Sequence, residues 1–131
     1  NGGTCNNGIC SCPVNYEGEF CQNAVNAKFA GIYNTQETCS MNAPSSYTIV
    51  IAADANDPTQ VIINNLGNYS SCGTIVLNGT ISGSQLSIDD TECGYHFTAS
   101  GTLNGTVISL TYSVTYNNVT ETCTATMNKT Q

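Results

Sequence analysis

One ten-residue run limits what this chain can fold into. Between positions 107 and 116, Ile108, Leu110, Tyr112, Val114 and Tyr116 alternate with Ser109, Thr111, Ser113 and Thr115. A period of two places the apolar set on one face of an extended strand and the hydroxyl set on the other, the pattern of a half-buried antiparallel strand. Asn117-Asn118 follows as a two-residue connector, because asparagine tolerates the positive φ that tight hairpins require. Residues 119–127 then return alongside and carry Cys123.

The same logic extends upstream. Strand-like segments are expected at 28–40, 46–53, 60–66, 74–82, 85–89, 95–103, 107–116 and 119–128, with no convincing amphipathic helix. The connectors hold Asn42-Ala43-Pro44, Asn56-Asp57-Pro58, Gly67-Asn68, Ser82-Gly83-Ser84 and Asn104-Gly105. Of these, Asn104-Gly105 reads as a type I′ hairpin. Hairpin after hairpin at short spacing predicts an all-β fold, an eight-stranded antiparallel up-and-down meander closing as a barrel or flattened barrel. Parity points Phe29, Gly31, Tyr33, Tyr47, Ile49, Ile51, Ile75, Leu77, Ile81, Leu86, Ile88, Phe97, Ala99, Gly101 and Leu103 inward. The outward faces are rich in Thr, Ser and Asn but poor in Lys and Glu, so an open edge would be poorly guarded against strand pairing.

Charge and cysteine content restrict the setting. Two lysines face nine acidic residues, for a formal net charge of −7. Nucleic acid is thereby disfavoured as a partner, since it calls for clustered Lys or Arg. No apolar run is long enough to span a membrane as a helix. The chain starts without an initiator Met or signal peptide and reads as a processed or partial chain. Eight cysteines in so short a sequence predict disulfides and an oxidising, extracellular location. A zinc site is not expected, because Cys10-Ser11-Cys12 leaves a one-residue gap and His96 is the sole imidazole. If the strands close on themselves, the first and last become neighbours and Cys39 pairs with Cys123. Cys72 and Cys93 then remain as a second pair, one of three pairings that four cysteines allow.

Residues 1–22 form a separate unit, followed by a short polar linker at 23–27 and the β domain at 28–131. The spacing Cys5-x4-Cys10-x-Cys12-x8-Cys21, with Asn1-Gly2-Gly3-Thr4 before it and Tyr16-Glu17-Gly18 in the last loop, resembles the carboxy-terminal part of an EGF-like domain. That resemblance implies a Cys12–Cys21 bridge. It makes Cys5 and Cys10 the third and fourth cysteines of the family, whose partners would lie upstream; otherwise the two pair with each other. The opening Phe29-Ala30-Gly31-Ile32-Tyr33 looks like that of lipocalin- and avidin-like barrels, with Tyr in place of Trp. Together with Glu37-Thr38-Cys39, Val61-Ile62-Ile63-Asn64-Asn65-Leu66-Gly67 and Glu121-Thr122-Cys123-Thr124-Ala125-Thr126-Met127, the pattern resembles uncharacterised exported surface proteins of Bacteroidetes bacteria, often lipoproteins. This implies export, and an anchor or assembly arm outside the chain. The Cys72/Cys93 pair departs from that pattern.

Chemistry-bearing clusters are few. His96 is expected on the outward face, without a nucleophile to activate. Asp89-Asp90 and Glu92 are read as a solvated turn. Glu37 and Glu121 each lie two residues before a cysteine with inward parity and would mark opposite rims of the barrel, read as carboxylates in water or else as a ligand anchor or self-association contact. Asp54, Asn56 and Asp57 match no EF-hand spacing and are read as turn residues. Asn68, Asn78, Asn104, Asn118 and Asn128 head Asn-x-Ser/Thr sequons and are glycosylation candidates. No catalytic residue, cofactor or metal is assigned. The expected function is a non-catalytic extracellular structural or adhesive surface protein, self-associating or bound to another surface protein, and able to serve as the repeating subunit of a filament. The alternative is a lipocalin-like carrier holding a small apolar ligand inside the barrel.

Overall fold

A computed structural model describes residues 3–13, 15–41, 44–69 and 73–130. In chain order the strands are β1 (Thr4–Asn6), β2 (Ile9–Ser11), β3 (Tyr16–Glu17), β4 (Asn23–Ala24), β5 (Gly31–Cys39), β6 (Ser45–Ala53), β7 (Gln60–Asn64), β8 (Val76–Ser82), β9 (Gln85–Glu92), β10 (Tyr95–Asn104), β11 (Val107–Tyr116) and β12 (Val119–Lys129). Short 3-10 turns occupy Ala27–Phe29 and Leu66–Asn68. Strands β5 to β12 pair antiparallel, each with the next, and β12 pairs with β5 to close an eight-stranded barrel. Closure removes the sheet edges, so an exterior of threonine and serine without guarding lysines is tolerated. No helix among the described residues is long and apolar enough to cross a membrane.

The alternation becomes an inside and an outside. Along β11, Ile108, Leu110, Tyr112 and Val114 are buried, whereas Ser109 and Thr111 are exposed. Phe29, Tyr33, Ile49, Phe97, Ile108 and Tyr112 fill the interior at no more than 1% exposure. Two inward positions are glycine because a neighbour already occupies the space of a side chain. A Cβ at Gly79 would lie 2.8 Å from Leu86 Cδ1 and 2.9 Å from Ile63 Cδ1; at Gly101 it would lie 2.8 Å from Leu110 Cδ1.

Several boundaries differ from the sequence-based expectation. Phe29 lies in a 3-10 turn ahead of β5, and the Tyr33 hydroxyl donates to its carbonyl at 2.8 Å. Strand β7 stops at Asn64, because Asn65 (φ 82°) and Gly67 (φ 81°) turn the chain. Strand β9 runs through Asp89, Asp90 and Glu92, which pair with Thr98, Phe97 and Tyr95; the expected turn is formed by Cys93-Gly94 at φ 54° and 80°. Asn104 is the last residue of β10, so the two-residue turn is Gly105-Thr106. Its positive φ falls on Gly105 alone, the II′ rather than the I′ pattern. Asn117 and Asn118, at φ 50° and 64°, do form an I′-like turn. Tyr116, expected inside, is 45% exposed at the end of β11.

The barrel has two distinct ends. The base gathers the start of β5, the end of β6, the start of β7 and the end of β12. The mouth gathers the end of β5, the start of β6, and the turns after β9 and β11. The amino-terminal unit, made of the β1–β2 hairpin and the β3–β4 pair, meets the base through a Lys28–Glu17 ion pair of 2.8 Å. Residues 23–27 are not a polar linker. Asn23 and Ala24 form β4, and Val25 and Asn26 are each 2% exposed. The Asn26 side-chain amide donates to the carbonyls of Asp54, Asp57 and Gln60 at 3.1, 3.0 and 2.8 Å, pinning the β6–β7 loop.

Candidate functional site at the barrel mouth

Inward parity delivers Glu37, near the end of β5, into the barrel beneath its mouth. At 7% exposure its carboxylate needs internal donors, since a buried charge is costly unless hydrogen-bonded. The hydroxyl of Tyr47 donates to Oε1 at 2.7 Å, and that of Tyr112 donates to the same oxygen. Tyr47 in turn accepts from the Gly67 N–H at 2.9 Å, so the turn after β7 supports the cluster. Glu121, on the adjoining strand β12, is 8% exposed, and Tyr69 donates to its Oε1 at 3.4 Å. The two carboxylates are therefore buried at one end of the barrel and do not mark opposite solvated rims. The antiparallel seam causes this: it brings the end of β5 beside the start of β12.

Above the carboxylates stands a stack of three tyrosine rings. Tyr69 and Tyr95 lie 4.6 Å apart at 22°, and Tyr95 and Tyr116 lie 4.6 Å apart at 25°, both offset-stacking distances. The stack borders an open pocket of about 390 Å³ whose wall also includes Met41, Val114, Val119 and Glu121. Sequence reading places Tyr69 in no strand and Tyr116 in the core, whereas Tyr116 stands at the open end of the barrel, so the stack is not legible from it. The signal for it lies in pairings distant along the chain.

Burial raises the phenols of this barrel. Tyr69 is pushed up to about 12, first by burial and then by the charges of Glu121 and Glu37; Tyr33 reaches about 12 through burial alone. Tyr47 and Tyr112 are driven higher, again chiefly by burial, with Glu37 adding to both. Unfolded tyrosines ionise near pH ~10. Above that pH the unfolded chain has released protons that the folded chain still holds, so stability is full below pH ~10 and falls as pH rises through the folded values. The urea midpoint is expected to stay level up to that point and to decline beyond it. Tyrosinate absorbance from these four residues is expected to rise together with loss of the β-sheet circular dichroism signal.

Cys39 and Cys123 face each other across the seam and are disulfide-bonded, with Cα atoms 4.0 Å apart. Their sulfurs converge with the Glu37 carboxylate, but a disulfide has no thiolate to offer a metal, so the trio does not suit one. Cys12 is bonded to Cys21. Cys5 and Cys10, directly opposite in the β1–β2 hairpin, are bonded to each other, the local alternative. Cys93 is disulfide-bonded; Cys72, its expected partner, lies outside the described residues.

His96 sits on the outer wall with Nε2 2.7 Å from Asp89 Oδ1, an exposed pair of the kind that contributes little. Asp54 and Asp57 are occupied in turn chemistry. Asp54 Oδ1 accepts from the N–H groups of Asn56 and Asp57, and Asp57 Oδ1 accepts from the N–H and hydroxyl of Thr59. The five sequon asparagines, Asn68, Asn78, Asn104, Asn118 and Asn128, are all exposed. Ser70, which completes the first sequon, lies outside the described residues.

No protein-family model and no curated relative matches the chain. Among solved structures it is similar to a crystal structure from Nostoc punctiforme, a protein of unknown function from the DUF3598 family. The TM-score is 0.52 at 11% identity, over 78% of this chain and 47% of that one. This chain thus spans about half the length of that protein, and at such identity the likeness shows the fold alone.

Proposed function

We propose that this chain is a non-catalytic extracellular module, structural or adhesive, that serves as a repeating subunit of a cell-surface assembly. The observation that carries the reading is the filled barrel. Leu86 and Leu110 occupy the space beside Gly79 and Gly101, where a carrier would keep a cavity, and the seam is bolted by Cys39–Cys123. A packed, cross-linked interior suits a building element better than a carrier with its ligand inside.

The outer wall supports the same reading. Thr80, Ser87, Ser100, Thr111, Thr124 and Thr38 stand at matching register positions on six consecutive strands, all exposed. Such a row offers hydroxyls rather than charges to a neighbour. The resemblance to exported Bacteroidetes surface proteins points in the same direction. Light scattering and electron microscopy of the disulfide-intact chain across a concentration series test the proposal. Ordered assemblies growing with concentration are expected, and monodisperse monomer at every concentration overturns the subunit role.

A further inference from the structure

We propose that the barrel mouth binds an organic ammonium ion, a protonated amine carried on an apolar or aromatic body. The pocket of about 390 Å³ falls within the range of small-ligand sites. Its wall joins the Tyr69–Tyr95–Tyr116 stack to the aliphatic carbons of Val114 and Val119, with the Glu121 carboxylate set among them. Tyrosine faces attract cations; Tyr95 is covered by a ring on each side, so the faces left for a cation are the outer ones of Tyr69 and Tyr116. A carboxylate in apolar surroundings attracts a counter-charge more strongly than one in water.

Charge complementarity selects the ligand class. The chain has three basic side chains, and none of them lines the pocket. Lys28 pairs with Glu17 and Lys129 donates to the Lys28 carbonyl, both at the base, while His96 pairs with Asp89 on the outer wall. The mouth therefore holds two buried carboxylates, Glu121 and Glu37, and no cationic side chain. An anion would be repelled by both. A bare metal ion fits poorly, because Glu37 Oε1 already accepts from Tyr47 and Tyr112 and the wall is mostly apolar. A protonated amine with an apolar body complements the charge of the buried carboxylates and the aromatic wall together.

Calorimetric titration of the disulfide-intact chain at neutral pH and low salt tests this. The probes are phenethylammonium, its neutral isostere 2-phenylethanol and its anionic counterpart phenylacetate. Saturable 1:1 binding of phenethylammonium is expected, about tenfold or more tighter than the alcohol, with none of the acid. Glu121→Gln keeps the side chain's shape and is expected to remove that preference, while Tyr116→Ala is expected to weaken binding with the preference retained. Circular dichroism checks that each variant is folded. Equal affinity for the alcohol, or no saturable binding of the amine by the folded chain, overturns the site. Blockage of the mouth by a second copy, seen as Tyr116→Ala dissolving an assembly that binds no amine, also overturns it while leaving the proposed subunit role standing.

Discussion

Asn26→Ala is expected to lower the stability of the fold by about 2–4 kcal/mol, and Asn26→Asp by more. The side-chain amide has two hydrogens and meets three backbone carbonyls, those of Asp54, Asp57 and Gln60, from a position 2% exposed. Two of these acceptors keep a backbone donor without Asn26: Gln60 O accepts from Asp54 N, and Asp57 O from Gln60 N. Alanine therefore deletes buried hydrogen bonds and leaves a small void without orphaning every acceptor. Aspartate is worse, because it removes the donor and turns a carboxylate oxygen toward three carbonyl oxygens. Urea unfolding of the three proteins checks the order, read as a falling midpoint at constant slope. Asn26→Ala within about 0.5 kcal/mol of the parent, the usual range for a neutral surface change, rejects the pinning role.

Removing the seam bond is expected to cost about 4–5 kcal/mol in the chain-entropy view. Cys39 and Cys123 are 84 residues apart in sequence, so their bond restrains most of the unfolded chain. The Cys39→Ala/Cys123→Ala double variant tests this by denaturant or thermal melting under oxidising conditions. Alanine is chosen because Cys123 is 1% exposed and a serine hydroxyl there would need a buried partner. The contrast is Cys5→Ala/Cys10→Ala. Its loop spans five positions within the β1–β2 hairpin, outside the barrel, and its loss is expected to leave barrel melting unchanged. Equal effects of the two deletions on barrel melting would mean that loop length does not set the contribution.

Much of the architecture was legible because it rests on local rules. Alternation along 107–116 and the Asn117-Asn118 turn depend on neighbours in sequence, and closure of eight such strands forces the first and last together, which brings Cys39 to Cys123. Where local rules were ambiguous, neighbouring groups decided. The Asp89 to Glu92 run looked like a turn because acids favour turns. It is strand because Cys93 and Gly94 accept the positive φ instead and β10 supplies the ladder. Asn26 looked like linker because its three acceptors are backbone carbonyls, which every residue has and no sequence pattern reveals.

The mouth marks the division most sharply. The amino-acid order alone determined that Glu37, Tyr47, Tyr112 and Glu121 face the barrel interior, since facing follows from parity along a strand. It did not determine which of them share a depth, because depth depends on the stagger between strands accumulated around the closed sheet. That stagger set Glu37 beneath two phenols and Glu121 beside Tyr69. It also brought three tyrosines from separate segments into one stack. Facing is a property of each strand by itself, whereas depth belongs to the barrel as a whole.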